Sequence, residues 1–280
     1  MDNSASEAQS AFLIDTQETH HSLRTWLNEA PFTLTLSSGF FGFFAHCGVL
    51  SALIEEGLTP ASATGSSAGA LVNGIWASGR SIEELKDALF ELRREDFWDP
   101  AFGFGLLKGE LFDGRLRQLL ACDTFAETRV PLRVTAFNCA RLKSRVFNQG
   151  ELAPVIRASC TFPGLFHPVW IEGAPYIDGG VSDRPGWSGI DSHERVLYHH
   201  LLSRSRLRGV LGLTQVPQRS NTVGIVINQL PRCSPQNLSE GPAAFAAARE
   251  TTLRTLDLRL PQRPEHGLAA LRLDAFKRLN

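Results

Sequence analysis

Five residues, Gly65-Ser66-Ser67-Ala68-Gly69, constrain this chain more than any others. A short apolar segment, residues 61–64, precedes them, and a stretch of helix formers, residues 70–78, follows. That order predicts a strand, a sharp turn and a helix. A serine at such a turn takes a strained backbone conformation, and only small neighbours let strand and helix pass so close together. The start of the helix aims free N–H groups and a positive dipole end at the serine, which favours an alkoxide or an oxyanion there. A small-residue turn that merely packs a helix on a sheet would have the same composition. The chemical reading therefore depends on what accompanies Ser67.

Two further elements do. Phe32-Thr33-Leu34-Thr35-Leu36 alternates apolar and polar residues and reads as a strand. Ser38-Gly39-Phe40-Phe41-Gly42 breaks it, and residues 44–53 read as a helix that stops at Glu55-Glu56-Gly57. A glycine loop between strand and helix can turn main-chain N–H groups toward an anion. It is not a nucleotide motif: there is no GxGxxG, and residues 65–70 lack the lysine of a phosphate-binding loop. The third element is Tyr176-Ile177-Asp178-Gly179-Gly180. Aspartate before glycine is most often turn chemistry. On a rigid strand end in a dry site, however, its carboxylate can accept a serine proton.

The rest of the chain supplies alternating elements. Helices are expected at 82–94, 111–120, 151–158 and 241–256. Strands are expected at 130–138, 144–148, 196–201 and 223–227, the first two as a hairpin across 139–143. Polar loops fill 204–220 and 234–241. Strands alternating with helices imply an α/β fold, a three-layer α/β/α sandwich with a mostly parallel central sheet. The expected division is an N-terminal arm at 1–30, one catalytic domain at 31–260 and a C-terminal tail at 261–280.

Composition narrows the function classes. With 43% hydrophobic and 20% charged residues among 280, the chain has enough apolar content for a core. A net charge of -1 and no lysine/arginine run give no reason to expect nucleic-acid binding. The five cysteines are scattered, with no CxxC pair, and read as free thiols in a reducing compartment. No metal-ligand spacing and no cofactor motif occurs. Without a signal peptide or a transmembrane-length apolar run, the expected location is cytoplasmic, with any membrane contact peripheral.

Taken in order, the glycine loop at 38–42, the serine turn at 65–69 and Asp178-Gly179-Gly180 resemble the patatin-like phospholipase family. The small-residue segment Ala158-Ser159-Cys160-Thr161-Phe162-Pro163 is also similar. The resemblance spans about residues 32–185. It implies a Ser–Asp dyad, with Ser67 as nucleophile and Asp178 as base. It also implies an oxyanion hole from the main chain around Gly39, Phe40 and Phe41, framed by the motif glycines Gly42, Gly65, Gly69, Gly179 and Gly180. The expected substrates are lipid esters, as in phospholipase A, lysophospholipase or acylglycerol lipase activities, without a metal. One departure is visible. Many bacterial members carry a Gly-Gly-Gly-x-Arg-Gly loop, whereas Ser38-Gly39-Phe40-Phe41-Gly42-Phe43 has no arginine and is closer to the Gly-Phe-Leu-Gly form of triacylglycerol-lipase-like members.

Two other readings stay open. A Ser…Asp…His order also fits a triad esterase or thioesterase, with His199 or His200 as the imidazole. More often such a pair is one buried and one exposed histidine. His46 has the character of a structural residue. A lipid-binding pseudoenzyme is the alternative of another class, against which intact Ser67 and Asp178 argue. Residues 97–107, aromatic and glycine-rich, read equally as a lid or interfacial loop and as a loop buried against the domain. Asp183 and Arg184 are expected to pair or to face solvent.

Overall fold

The computed structural model describes residues 21–202 and 217–275. The chain lays its first strand, β1 (Thr33–Leu36), in the middle of a nine-stranded sheet and builds outward from it. Helix α1 (Leu23–Glu29) precedes it and is capped by Ser22, whose side chain accepts from Thr25 N–H. After β1 come α2 (Phe43–Glu55), β2 (Ser62–Ser66) and α3 (Ala68–Ala77), then α4 (Ile82–Phe90), β3 (Gly105–Leu107) and α5 (Glu110–Leu119). The antiparallel hairpin of β4 (Leu132–Asn138) and β5 (Lys143–Phe147) follows, then α6 (Leu152–Ser159). Three short strands, β6 (Gly164–Phe166), β7 (Val169–Ile171) and β8 (Ala174–Asp178), close that half. The chain then returns to the free side of β1 with β9 (Val196–His200), β10 (Thr222–Asn228), α7 (Gly241–Leu256) and β11 (Ala269–Asp274).

Strand order is β11-β10-β9-β1-β2-β4-β8-β7, with β5 on the other edge of β4. The pairs from β11 across to β4 are parallel, and those of β4 with β5, β4 with β8 and β7 with β8 are antiparallel. A mostly parallel central sheet flanked by helices is the fold class expected from the sequence. Because β1 has β2 on one side and β9 on the other, it is the point where the winding reverses. In such sheets the crevice beyond the carboxyl ends of the strands is where ligands bind.

Register around β4 decides the geometry of that crevice. β2 runs parallel to β4 and ends with Ser66 opposite Thr135. β8 runs antiparallel to β4 and ends with Asp178 opposite Ala136. β5 occupies the far edge of β4 from Val134 to Asn138, so β2 and β8 must share the near edge. Their carboxyl ends therefore meet head-on along one strand.

Several expected boundaries move. The 82–94 helix stops at Phe90; its start is fixed by a Ser81–Glu84 capping box. A 3₁₀ turn, Arg94–Asp96, follows. Strands β3, β6 and β7 had no counterpart in the sequence reading. The arm at 1–30 contains α1, whose Leu23, Trp26 and Leu27 lie in the main core. The tail at 261–280 contains β11, paired along β10 from Val223↔Ala269 to Asn228↔Asp274. Most of the polar loop at 204–220 lies outside the described residues.

Candidate active site

Ser67 stands between β2 and α3 as the N-cap of that helix, with φ 54° and ψ −120°. A non-glycine residue at positive φ is strained, and the surroundings must hold it there. Here they do so by contact. A Cβ on Gly69 would lie 1.9 Å from the Leu36 carbonyl oxygen, and one on Gly65 would lie 2.5 Å from the Gly69 carbonyl carbon. The two glycines let the turn seat against β1 and against itself.

Hydrogen bonds then fix the turn from below. Ser67 N–H donates to Ser159 Oγ at 2.8 Å, and Ser159 Oγ donates to the Thr135 carbonyl at 2.7 Å. The Cys160 thiol donates to the Ser67 carbonyl at 3.2 Å. Desolvation, with the Asp178 charge added, pushes that thiol well above its ordinary value, so it stays protonated beside the serine. In α3, the buried Asn73 amide donates to the Thr64 and Leu34 carbonyls at 2.8 and 3.3 Å and ties the helix to both strands.

Asp178 ends β8 with its side chain buried. Its Oδ1 accepts Gly180 N–H at 2.7 Å, and its Oδ2 accepts the Ser67 hydroxyl at 2.6 Å. Gly179 and Gly180 have no room for side chains. A Cβ on Gly179 would sit 2.2 Å from the Thr135 carbonyl oxygen, and one on Gly180 would sit 2.1 Å from Ser38 Oγ. Asp183, five residues on, was expected to pair or to face solvent; it is buried. Its Oδ1 accepts Gly186 and Trp187 N–H, and its Oδ2 accepts Ser188 N–H and the Thr135 hydroxyl.

The glycine loop lies alongside. Ser38 N–H donates to the Arg184 carbonyl and Gly42 N–H to the Gly39 carbonyl. Among the described residues no acceptor is bonded to the N–H of Gly39, Phe40 or Phe41. Phe41 has φ 54°. Leu201, just past β9, is wedged beneath: a Cβ on Gly39 or Gly42 would come within 2.4 or 2.2 Å of its Cδ1.

His46, His167, His199 and His200 each have a hydrogen-bond partner other than Ser67 and Asp178. His46 Nε2 is 2.7 Å from the Ser37 carbonyl and must carry the proton, so its Nδ1 accepts from His199 Nδ1–H at 2.8 Å. That assignment leaves His199 Nε2 as an unprotonated, buried nitrogen with no partner among the described residues. His200 Nδ1 pairs with the Tyr198 hydroxyl at 2.7 Å. Both His199 and His200 are buried, where one had been expected to be exposed. Burial pushes His46 down to about 4 and His200 to about 3, and lowers His199 well below its ordinary value. His167 Nε2 meets the Gly105 carbonyl at 3.1 Å.

Ser67 and Asp178 open into an apolar cavity of ≈ 100 Å³. Phe40, Phe41, Leu71, Leu89, Leu116 and Phe162 are among its lining residues. Among the described residues no helix is long and apolar enough to cross a membrane.

The patatin-like phospholipase family model matches residues 34–188, which is more than half of the chain and includes all three motifs. The chain belongs to the patatin-like phospholipase family. An uncharacterised NTE family protein of Mycobacterium tuberculosis is 32% identical over 154 residues, covering 54% of this patatin-like chain and 42% of that protein. Lysophospholipase nte1 of Emericella nidulans is 26% identical over 157 residues, 54% of this chain and 10% of its own length. The chain thus spans less than half the length of these curated relatives. Among solved structures, VipD from Legionella pneumophila superposes with a TM-score of 0.56 at 17% identity, covering 81% of this chain and 67% of that one. That likeness is one of patatin-like fold.

Ser159, Asn73, Asp183 and Leu201 belong to the site's framework, and the sequence assigned none of them to it. Only Ser159 had a signal, its place in the small-residue segment before the aspartate.

Proposed function

We propose that this chain hydrolyses acyl esters of lipids, of the phospholipase A, lysophospholipase or acylglycerol lipase type, through an acyl-serine intermediate. The observation that carries the reading is the 2.6 Å hydrogen bond from Ser67 Oγ to Asp178 Oδ2, in the lining of an apolar cavity. Asp178 takes the hydroxyl proton as Oγ forms a bond to the substrate carbonyl carbon. The tetrahedral intermediate collapses, the ester C–O bond breaks, and Asp178 returns the proton to the leaving alcohol. A water then repeats the sequence on the acyl-serine, giving the fatty acid and free Ser67. The negative oxygen needs donors. Ser67 N–H is committed to Ser159, whereas the N–H groups of Gly39, Phe40 and Phe41 are free of acceptors among the described residues and lie beside the cavity. The start of α3 adds its dipole.

Contact with a lipid surface would be peripheral. A fluorophosphonate probe should modify Ser67 alone, and Ser67→Ala should abolish both labelling and hydrolysis of a soluble short-chain ester. An adduct on another serine, or full activity in Ser67→Ala, would remove the nucleophile assignment.

A further inference from the structure

Residues 97–107 form neither a loose lid nor a buried loop. Their two ends are anchored: Phe97 and Leu107 are buried, and Phe97 lines the cavity. Asp99 caps α5, its carboxylate accepting from Gly109, Glu110 and Leu111 N–H at 2.9, 2.7 and 3.1 Å. Ala101 N–H donates to the Leu106 carbonyl and Lys108 N–H to the Asp99 carbonyl, both at 3.0 Å, so the strands of the loop are pinned together. β3 pairs in parallel with β6, Gly105↔Gly164 and Leu107↔Phe166. Underneath, the His167 ring fills the place where a Gly103 side chain would be: a Cβ there would lie 2.4 Å from Cε1.

This bracing presents a tip, Phe102-Gly103-Phe104, whose two phenylalanines are almost fully exposed. The hydrogen bonds on either side fix the backbone that carries these two residues. Leu106 is exposed on the same strand, and Phe162 is exposed just before its partner strand. Phe162 packs against Phe40, with ring centroids 5.3 Å apart and tilted by 58°, and both line the cavity that holds Ser67. The exposed residues thus sit on and beside β3, and its partner β6 contributes Leu165 and Phe166 to the cavity lining. Isolated exposed apolar residues are common in folded proteins, but a group of them beside a reactive cavity marks an interaction site.

We infer that the Phe102–Phe104 tip, with Leu106, Phe162 and Phe40, is a docking surface that inserts into a lipid surface and places the cavity mouth against it. The inference rests on the lipid-ester hydrolase reading for the identity of the partner. The β3–β6 pairing argues for lipid: it joins the exposed residues to the apolar lining of the cavity that holds Ser67, which suits an acyl chain leaving a bilayer. Charge gives the mode of binding. Arg93, Arg94, Lys108 and Arg115 are outnumbered between residues 91 and 115 by Glu91, Glu95, Asp96, Asp99, Glu110 and Asp113, so no surplus of positive charge flanks the tip. Docking is therefore apolar, needs no anionic lipid and responds little to salt.

Flotation of the Ser67→Ala chain with phosphatidylcholine vesicles, against the same chain carrying Phe102→Ser and Phe104→Ser, tests this. Losing two inserted phenyl rings should weaken partitioning about 10- to 100-fold. Binding should change little between low and high salt. Phe104→Trp should show a blue-shifted emission on adding vesicles. With Ser67 intact, the double serine variant should keep its melting temperature and its hydrolysis of a soluble short-chain ester. Equal partitioning of the two chains, binding abolished by salt, or an unshifted tryptophan would each overturn the inference. So would a double variant that changes only from dimer to monomer, which would make the face a self-association surface. A chain that binds vesicles through the tip yet never hydrolyses an ester would leave the docking surface standing and sink the hydrolase reading.

Discussion

Ser67 and Asp178 are 111 residues apart in the sequence and share a 2.6 Å hydrogen bond, and a single strand brings them together. Strand β4 holds Ser66 opposite Thr135 and Asp178 opposite Ala136, one residue further along the same edge. β2 arrives in one direction and β8 in the other, so the residue after β2 and the last residue of β8 converge. The Thr135 carbonyl, at the join, accepts from Ser159, which in turn holds the Ser67 N–H.

Asp178→Asn keeps the shape and removes the proton acceptor. Its kcat on a soluble ester should fall by roughly 10²- to 10⁴-fold, with folding unchanged by circular dichroism. His46, His167, His193, His199 and His200, each changed to Gln, should retain far more activity wherever the variant folds. A single histidine variant as inactive as Ser67→Ala would promote a triad instead.

Ser159→Ala removes the acceptor of the Ser67 N–H without touching substrate. A buried donor left unsatisfied costs about 1–3 kcal/mol, to be read by urea denaturation. Because the same bond sets the serine backbone, kcat should drop while KM stays near its original value. A loss in stability with unaltered kcat would confine Ser159 to folding.

Mild acid should destabilise the protein. His46 and His200 have folded values near 4 and 3, against an ordinary 6.5 in the unfolded chain. Between those limits the unfolded state binds more protons, so stability is complete above about pH 6.5 and falls as pH drops toward 4. The slope for each such group is about 1.4 kcal/mol per pH unit within the window. Denaturation series at pH 7, 6, 5 and 4.5 should show it, and His200→Gln, which cannot be protonated, should flatten it. A profile flat down to pH 4.5 would contradict the buried neutral state.

Gly39 and Leu201 should be coupled. Gly39→Ala forces a methyl group to within 2.4 Å of Leu201 Cδ1, and overpacking of this kind costs about 1–3 kcal/mol. Leu201→Ala makes room. In a double-mutant cycle the pair should recover part of the loss, with an interaction energy of about 1 kcal/mol. Strict additivity would show that Leu201 does not support the loop.

The elements that place the site were legible because their signals are local. Apolar alternation marked β1, and small residues at 65 and 69 marked the turn whose backbone contacts forbid anything larger. What stayed hidden depends on distant partners. Asp183 looks like any polar residue after a glycine turn; only the packing of residues 186–188 and of Thr135 around it creates its four acceptor contacts. β3 and β6 are three residues each and too short to show a period. β11 has its apolar run interrupted by Arg272, which reads as tail until β10 lies beside it. The His46–His199 pair joins a helix to a strand 153 residues away, and no spacing rule predicts it.

The head-on meeting of β2 and β8 also has a consequence for the order of events during folding. Neither half of the pair can be assembled by local structure. The serine turn requires β1 and β2, and the aspartate requires β4 with its returning strand, so the long loop between them must close before the two side chains meet. Contacts of such sequence separation form late and slowly. A nascent or partly folded chain would therefore carry an ordinary, unreactive serine, and the nucleophile would appear only with the finished sheet. Covalent trapping of Ser67 during refolding would then report completion of the topology, lagging behind the recovery of helical signal.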